Sequence, residues 1–451
     1  MASAGRLPPG GESAASQGRA AKTAGPFGAS NRQGRGSTQW GCPRRATPNQ
    51  LYSIFRMSID VPAVQAALRA AHLDGWLLYD FHGSNPVSRR VAGLATSGHM
   101  TTRRWFYLIP VAGDPRPLVH KIERRTLAHL PGHPVEYAGR VELEAGLRRI
   151  LDGCRTVAME YSPLAAIPYV SRVDAGTIEL VRACGADVAS SGDLVQQFEA
   201  LWPADGLTTH RAASEALYRI KDRAFAMIRE RLAANTALTE YEVQQAMVGW
   251  FADEGLVSDA APIVAAQENA GDPHYQPTAT SSRAINRNEV VLLDLWGKQA
   301  RDRAVYADIS WMGFTGPSIP APVEAAFNAA RDARDAAVAL VQTAAAEGRE
   351  VRGFEADAAA RAVLQRAGFG NAILHRTGHS LGEEVHGNGA HLDDYETKDE
   401  RRLLPGTGFT IEPGLYFPTF GVRTEINIAW GPAGPEVTGP RQASVVPLVG
   451  V

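Results

Sequence analysis

Four acidic residues and one histidine, all within about the last 160 positions, have the types and spacing to hold two metal ions. They are Asp294 in Val-Val-Leu-Leu-Asp-Leu-Trp, Asp308 in Val-Tyr-Ala-Asp-Ile-Ser-Trp and His379 in Thr-Gly-His-Ser-Leu-Gly. Glu412 in Thr-Ile-Glu-Pro-Gly-Leu-Tyr and Glu425 in Val-Arg-Thr-Glu-Ile-Asn-Ile complete the set. Each carboxylate lies in or beside a short apolar run. Burying an ionised carboxylate is costly unless it is paired or metal-bound. Four of them on core strands therefore call for a common partner, and two divalent cations bridged by water would serve.

Such ligands need rigid support. Strands are expected over residues 289–296, 304–312, 409–417 and 422–430. Asp294 and Asp308 then face each other across the polar turn Lys298-Gln-Ala-Arg-Asp-Arg303, and Glu412 and Glu425 across Pro418-Thr-Phe-Gly421. Helices are expected to cover the outer face of this sheet. One recurs through Leu217, Ile220, Ala224, Met227 and Ile228. A second follows the Thr239-x-x-Glu242 capping box and ends near Gly255. A third spans 322–347 and a fourth 354–367.

Upstream, Asp60-Val-Pro62 starts a short helix running to about His72. Strands at Trp76–Tyr79, Arg104–Ile109 and Val157–Glu160 alternate with helices, which predicts an α/β domain over 57–203. Turn formers at Trp202-Pro-Ala-Asp-Gly206 mark the boundary, with the catalytic domain at 206–451. Residues 1–56 carry eight Lys/Arg against the single acid Glu12, for +7, which leaves −9 on the remainder. That segment reads as disorder or as an extension ahead of a true start at Met57, with an organelle transit peptide as the third reading.

The −9 remainder makes nucleic acid a poor partner. No apolar run reaches the ~20 residues needed to span a bilayer. The widely spaced Cys42, Cys154 and Cys184 exclude a disulfide scaffold and a thiolate zinc site. A reducing, cytoplasmic setting is the expectation.

Residues 206–451 resemble the "pita-bread" metallopeptidases: aminopeptidase P, prolidase and creatinase. The resemblance is carried by Thr377-Gly-His-Ser-Leu-Gly-Glu-Glu-Val-His386, Phe409-Thr-Ile-Glu-Pro-Gly-Leu-Tyr416 and Gly421-Val-Arg-Thr-Glu425. The order Asp, Asp, His, Glu, Glu is the family's order. Residues 57–203 resemble the family's creatinase-type N-terminal domain. The resemblance implies an α+β fold: a curved antiparallel sheet covered by helices, preceded by a smaller α/β domain. It implies that Asp294 and Asp308 hold one metal and His379 and Glu412 the other, with Asp308 and Glu425 bridging both. A metal-bridging hydroxide would attack the peptide carbonyl, with Glu412 moving the proton. His274, in Asp-Pro-His-Tyr275, and His386 match histidines that stabilise the reacting carbonyl and line the pocket. Arg423 either anchors a substrate carboxylate or neutralises the acidic cluster. Manganese is the first choice of metal, with cobalt, zinc or iron as alternatives. The implied substrate is a small peptide cut next to proline, and the implied assembly a homodimer.

This sequence departs from the family at two places. Trp296 stands where glycine is usual, and Ile309-Ser-Trp311 stands where Thr-Arg-Thr is usual. Both departures are expected to bring bulky aromatics to the site. Three rivals are kept: a metal-dependent amidohydrolase of a small amino-acid derivative, a non-catalytic binding protein, and a serine hydrolase suggested by Gly378-His-Ser-Leu-Gly382. The last lacks room downstream of Ser380 for an acid and a returning histidine.

Overall fold

The computed structural model describes residues 59–94 and 101–449, so the expectation for residues 1–56 lies outside the described residues. Asp60 accepts a hydrogen bond from the Ala63 amide and starts α1 (Val61–Ala70), with Pro62 in the first turn. A six-stranded sheet follows. Its strands are β1 (Gly75–Asp80), β2 (Trp105–Pro110), β3 (Arg116–His120), β4 (Val135–Tyr137), β5 (Thr156–Met159) and β6 (Asp187–Ser190). Their spatial order is β4-β3-β2-β1-β5-β6. β1 runs antiparallel to β2 and parallel to β5. The helices are α2 (Pro86–Val91), α3 (Arg140–Ile150), α4 (Ala175–Ala183) and α5 (Gly192–Phe198). Trp76, Leu78, Trp105 and Tyr107 pack into one apolar cluster, and Leu77, Tyr79, Phe106 and Leu108 into another. Alternate residues thus bury opposite faces, which is why these strands read as continuous apolar runs.

The larger part starts with α6 (Gly206–Ala233) and α7 (Glu240–Asp253), the latter opened by the expected Thr239/Glu242 capping box. Then come β7 (Leu256–Val257), β8 (Ile263–Ala266), β9 (Val290–Gln299) and β10 (Ala307–Phe314), followed by α8 (Ala321–Ala346) and α9 (Gly353–Arg366). The chain ends in β11 (Ser380–Leu381), β12 (Gly408–Ile411), β13 (Gly414–Phe417), β14 (Phe420–Arg423), β15 (Ile426–Gly431), β16 (Gly434–Val437) and β17 (Val446–Pro447). β9 and β10 form an antiparallel hairpin; β8 also pairs with β9, and β17 lies alongside β10. A second sheet has the order β11-β12-β15-β16, and β13 and β14 form a separate two-stranded ribbon.

The even-numbered residues Val290, Leu292, Met312 and Phe314 face the core under α8 and α9. The odd-numbered Val291, Leu293, Leu295, Ala307 and Ile309 face α6 and α7. Each buried apolar side chain contributes roughly 1.5–3 kcal/mol. The alanines of α8 (Ala326, Ala330, Ala333, Ala337) are fully buried and let the helix pack closely over the sheet. The predicted class is met: a curved antiparallel arrangement covered by helices, preceded by a smaller α/β domain. Among the described residues, no helix is long and apolar enough to cross a membrane.

Two of the expected strands are in fact interrupted. Residues 409–417 divide into β12 and β13 around Glu412-Pro413, and 422–430 into β14 and β15 around Thr424-Glu425. Proline has no amide hydrogen to continue a ladder, so the break at Pro413 has a local cause. Both glutamates therefore stand at crossings between the ribbon and the second sheet.

Candidate metal centre

Asp294 lies on β9 and Asp308 on β10, both on the even-numbered face. The register pairs Asp294 with Ser310 and Asp308 with Trp296, so the two aspartates are diagonal neighbours rather than directly opposed. β13 and β14 join through a two-residue turn with Gly414 opposite Arg423, and continuing that register aligns Glu412 with Glu425. His379 precedes β11 and is locked by its backbone. Its amide donates to Thr410 Oγ1 at 2.9 Å, and its carbonyl accepts from the Thr410 amide at 2.8 Å. Gly378 is required here, because a Cβ would collide with the Thr410 carbonyl oxygen.

These residues converge. Asp308, His379 and Glu425 each present a potential ligand atom, all within 4.8 Å of one another. His379 Nε2 lies 3.5 Å from Asp308 Oδ2 and 3.4 Å from Glu412 Oε1. His379 Nδ1 is 3.2 Å from the Ser380 carbonyl oxygen, a contact suited to an Nδ1–H donor that leaves the Nε2 lone pair facing the carboxylates. Asp294, Asp308, His379 and Glu425 are all buried, and Glu412 is half-buried.

The electrostatics are those of crowded negative charge. Burial raises the Asp308 carboxyl well above the ordinary range, and Asp294 and Glu412 push it further. Glu425 is raised in the same way, by burial first and then by Asp308, Glu412 and Asp294. His379 is lowered by burial, against the pull of Glu412. Asp308 Oδ1 and Glu425 Oε1 are buried with no hydrogen-bond partner. Leaving such atoms unpaired costs about 1–3 kcal/mol each, and more for a charged group. A divalent cation would satisfy both atoms and reverse the repulsion. The donor set, carboxylate oxygens and one imidazole, suits a relatively hard divalent ion.

Arg423 is buried among the acids. Its Nη2 pairs closely with Asp294 Oδ2, and its Nε donates to Ser310 Oγ at 2.9 Å. Burial alone would lower the guanidinium pKa, but Asp294 first, then Tyr416 and Glu412, raise it well above its usual value. Ser310 Oγ lies 2.9 Å from Asp294 Oδ1 and 2.7 Å from Glu425 Oε2. Its one hydrogen therefore serves either of two candidate ligands. Tyr416 Oη accepts from Arg423 Nη1 at 3.3 Å and lies 2.7 Å from His375 Nε2.

His386 packs edge-on against His379, with ring centroids 4.3 Å apart. The neighbouring His379 first, and then burial, lower its pKa to about 3, so it is a neutral imidazole at physiological pH. His274 is exposed on the loop after β8. Trp296 is half-buried beside the cluster of Tyr306, Leu381 and Val385, with Nε1 donating to Asp259 Oδ1 at 2.7 Å. Trp311 does not approach the site. Its odd position turns it toward α6, edge-on to Tyr218 and with the Lys221 ammonium 4.4 Å from its ring centroid. Ser380 Oγ is buried and accepts from the Gly389 amide, and among the described residues no histidine hydrogen-bonds to it; His391 Nδ1 accepts from the Ser380 backbone amide instead.

Several contributors went unnoticed in the sequence. Asp357 on α9 holds the turn before His379 by accepting from the Thr377 amide at 3.0 Å and the Thr377 hydroxyl at 2.6 Å. Arg334 on α8, also buried, reaches Thr424 Oγ1 at 2.9 Å, beside Glu425. Arg376 is buried next to the site, and its Nη1 donates to Tyr169 Oη of the N-terminal domain at 2.8 Å. His375 could have been noticed from its four-residue spacing to His379. The others join segments remote in sequence and leave no local pattern.

Residues 208–430 match metallopeptidase family M24. The chain is 25% identical over 325 residues to a protein described as "Probable dipeptidase PepE" from Mycobacterium tuberculosis, covering 70% of this chain and 78% of the relative. It is 32% identical over 164 residues to an "Xaa-Pro dipeptidase" from Lactobacillus helveticus, covering 36% of this chain and 40% of that one. Among solved structures it resembles dipeptidase PepE from Mycobacterium ulcerans, with a TM-score of 0.63 and 23% identity over 86% of this chain and 96% of the other.

Proposed function

The chain belongs to metallopeptidase family M24 through residues 208–430, and on that premise we propose that it is a dinuclear metal-dependent peptidase cutting peptide bonds next to proline. Asp294 and Asp308 would hold one divalent ion, His379 and Glu412 the other, and Asp308 and Glu425 would be shared. Manganese is the proposed metal. When bound, the ions supply electrophilic polarisation of the scissile carbonyl and a water acidic enough to lose its proton near neutral pH.

The chain's own residues do the rest. Glu412, the least buried of the four acids, accepts the proton and delivers it to the leaving nitrogen. His386 and His274 donate hydrogen bonds to the carbonyl oxygen as charge develops on it. The lowered pKa of His386 keeps it a neutral donor, so it does not repel the cations. Arg423 neutralises Asp294, a role supported by their close pairing and by the hydrogen bonds from Nε to Ser310 and from Nη1 to Tyr416.

The observation that carries this reading is the pair of unpartnered, buried oxygens on Asp308 and Glu425 beside His379. The likeness to an Xaa-Pro dipeptidase supports dipeptides with proline as the first substrates to try. A manganese-loaded preparation is assayed side by side on Ala-Pro, on Xaa-Pro-Xaa peptides and on proline-free peptides. Cleavage confined to proline-containing peptides, and abolished by chelator, is the expected result. Chelator-insensitive cleavage, or no cleavage of any peptide, would remove the proposal. A metal-dependent amidohydrolase of a small amino-acid derivative is the second reading, favoured by the bulky Trp296 opposite Asp308 in the strand register. The proposed assembly is a homodimer.

A further inference from the structure

His386 stands on a tight turn that leaves β11 and folds back at once. The Gly382 amide donates to the Glu384 carbonyl at 3.1 Å, and the Gly387 amide to the Ser380 carbonyl at 2.8 Å. Val385 is buried against Tyr306 and Leu381, Glu383 and Glu384 are exposed, and the His386 ring, though open to solvent, packs against His379. A turn with one buried side chain is not rigid by itself. Cations hold it from two directions. Lys298 Nζ donates to the Glu383 carbonyl at 2.5 Å, and Arg303 Nε to Glu383 Oε1 at 3.1 Å, both from the β9–β10 hairpin. From the N-terminal domain, Arg90 at the end of α2 donates Nη1 to Glu384 Oε1 at 2.5 Å.

An exposed ion pair usually contributes little, because ordering two long side chains offsets the attraction. Arg90 is different, because its geometry is set before it meets Glu384. Its Nε side pairs closely with Glu199, a carboxylate just beyond α5 whose side chain is 9% exposed. The guanidinium is therefore anchored on its own domain and reaches across to a residue two positions from His386.

We propose that Arg90 is a positioning residue: held by Glu199, it fixes the turn carrying His386 through Glu384, so that the placement of that imidazole depends on the N-terminal domain. This rests on the reading that His386 acts in catalysis.

The test uses the full-length, manganese-loaded protein and begins with Glu384→Gln, which removes the clamp at an exposed position and leaves no buried charge unpaired. Backbone hydrogen exchange over residues 382–388 is expected to rise roughly tenfold, since local opening governs it. kcat is expected to fall roughly tenfold with KM little changed, because a small misplacement of a catalytic group acts on the transition state. In a His386→Ala background, Glu384→Gln should then change kcat by less than about twofold, since the group it positions is gone. Arg90→Met should reproduce the exchange and kcat changes, and add little on top of Glu384→Gln. Unchanged exchange in Glu384→Gln, or an undiminished loss of kcat in the His386→Ala background, would overturn the proposal. If the wild-type protein cleaves no peptide, the function assigned to the site fails, and the exchange measurement alone decides whether Arg90 clamps the turn.

Discussion

Glu160 in the N-terminal domain and Glu425 in the catalytic domain are both sealed from solvent, yet their surroundings are opposite. Both oxygens of Glu160 are fully used. They accept from Trp76 Nε1 at 2.8 Å, Ser191 Oγ at 3.1 Å, Asn85 Nδ2 at 2.7 Å and Ser88 Oγ at 2.5 Å. Those neutral donors tie β1, α2, β5 and the start of α5 together. Glu425 has one oxygen near Ser310 and the other with no partner, and its neighbours are more carboxylates. A carboxylate kept for architecture is satisfied by neutral hydrogen-bond donors. One kept for a cation retains open lone pairs and like-charged company. Burial alone does not separate the two cases; the partners do.

The sharpest way to break this comparison is to remove each glutamate. Glu425→Ala should lower peptidase kcat/KM by at least about 10³-fold and reduce bound metal, because one carboxylate would serve both ions. Elemental analysis and kinetics on the same preparation check it, and full turnover would contradict the assignment. Glu160→Ala should leave metal content unchanged while costing about 3–5 kcal/mol of stability, since four buried donors lose their acceptor. Denaturant unfolding measures this, and a loss of metal in that variant would erase the distinction between the two regions.

A buried histidine in the catalytic domain gives a third case. His210 lies between the Tyr306 carbonyl oxygen at 2.7 Å and Thr438 Oγ1 at 2.6 Å, and burial lowers its pKa to about 4. The unfolded chain takes up a proton near pH 6.5, whereas the folded chain holds out to about 4. Its contribution is therefore complete above pH 6.5 and is lost as pH falls through that window, by on the order of 3 kcal/mol. Urea midpoints for wild type and His210→Gln should diverge in pH dependence between those values. Identical slopes would show that His210 is not held neutral.

Metal affinity should also depend on pH. The pKa values of Asp308 and Glu425 are raised, so protons compete with the cation for them. Affinity should fall by about tenfold per pH unit for each proton displaced, as pH drops through their raised values. Calorimetry in buffers of different ionisation enthalpy should register proton release on manganese binding. Binding without release would mean that these groups are already ionised.

Much of this site was legible in the sequence because its candidate ligands fall within short motifs on or beside recognisable strands. The diagonal offset of Asp294 and Asp308 was not legible, since register depends on where the hairpin turns. The expectation that Trp311 brings an aromatic near the site neglected a signal that was present. Strict alternation from Asp308 puts Ser310 and Met312 on its face and Trp311 on the other. Pro413 marked the break beside Glu412, but nothing local marked the one at Glu425. Arg376 with Tyr169, and Arg90 with Glu384, join residues more than 200 positions apart. Only the packing of the N-terminal domain against the catalytic domain brings them together.

Anomalous diffraction from manganese-soaked crystals tests the central claim most directly. Two peaks are predicted, one flanked by Asp294 and Asp308 and one by His379 and Glu412, with Asp308 and Glu425 reaching both. Density free of anomalous signal among those five side chains, with the acids instead paired to protein donors, would contradict it.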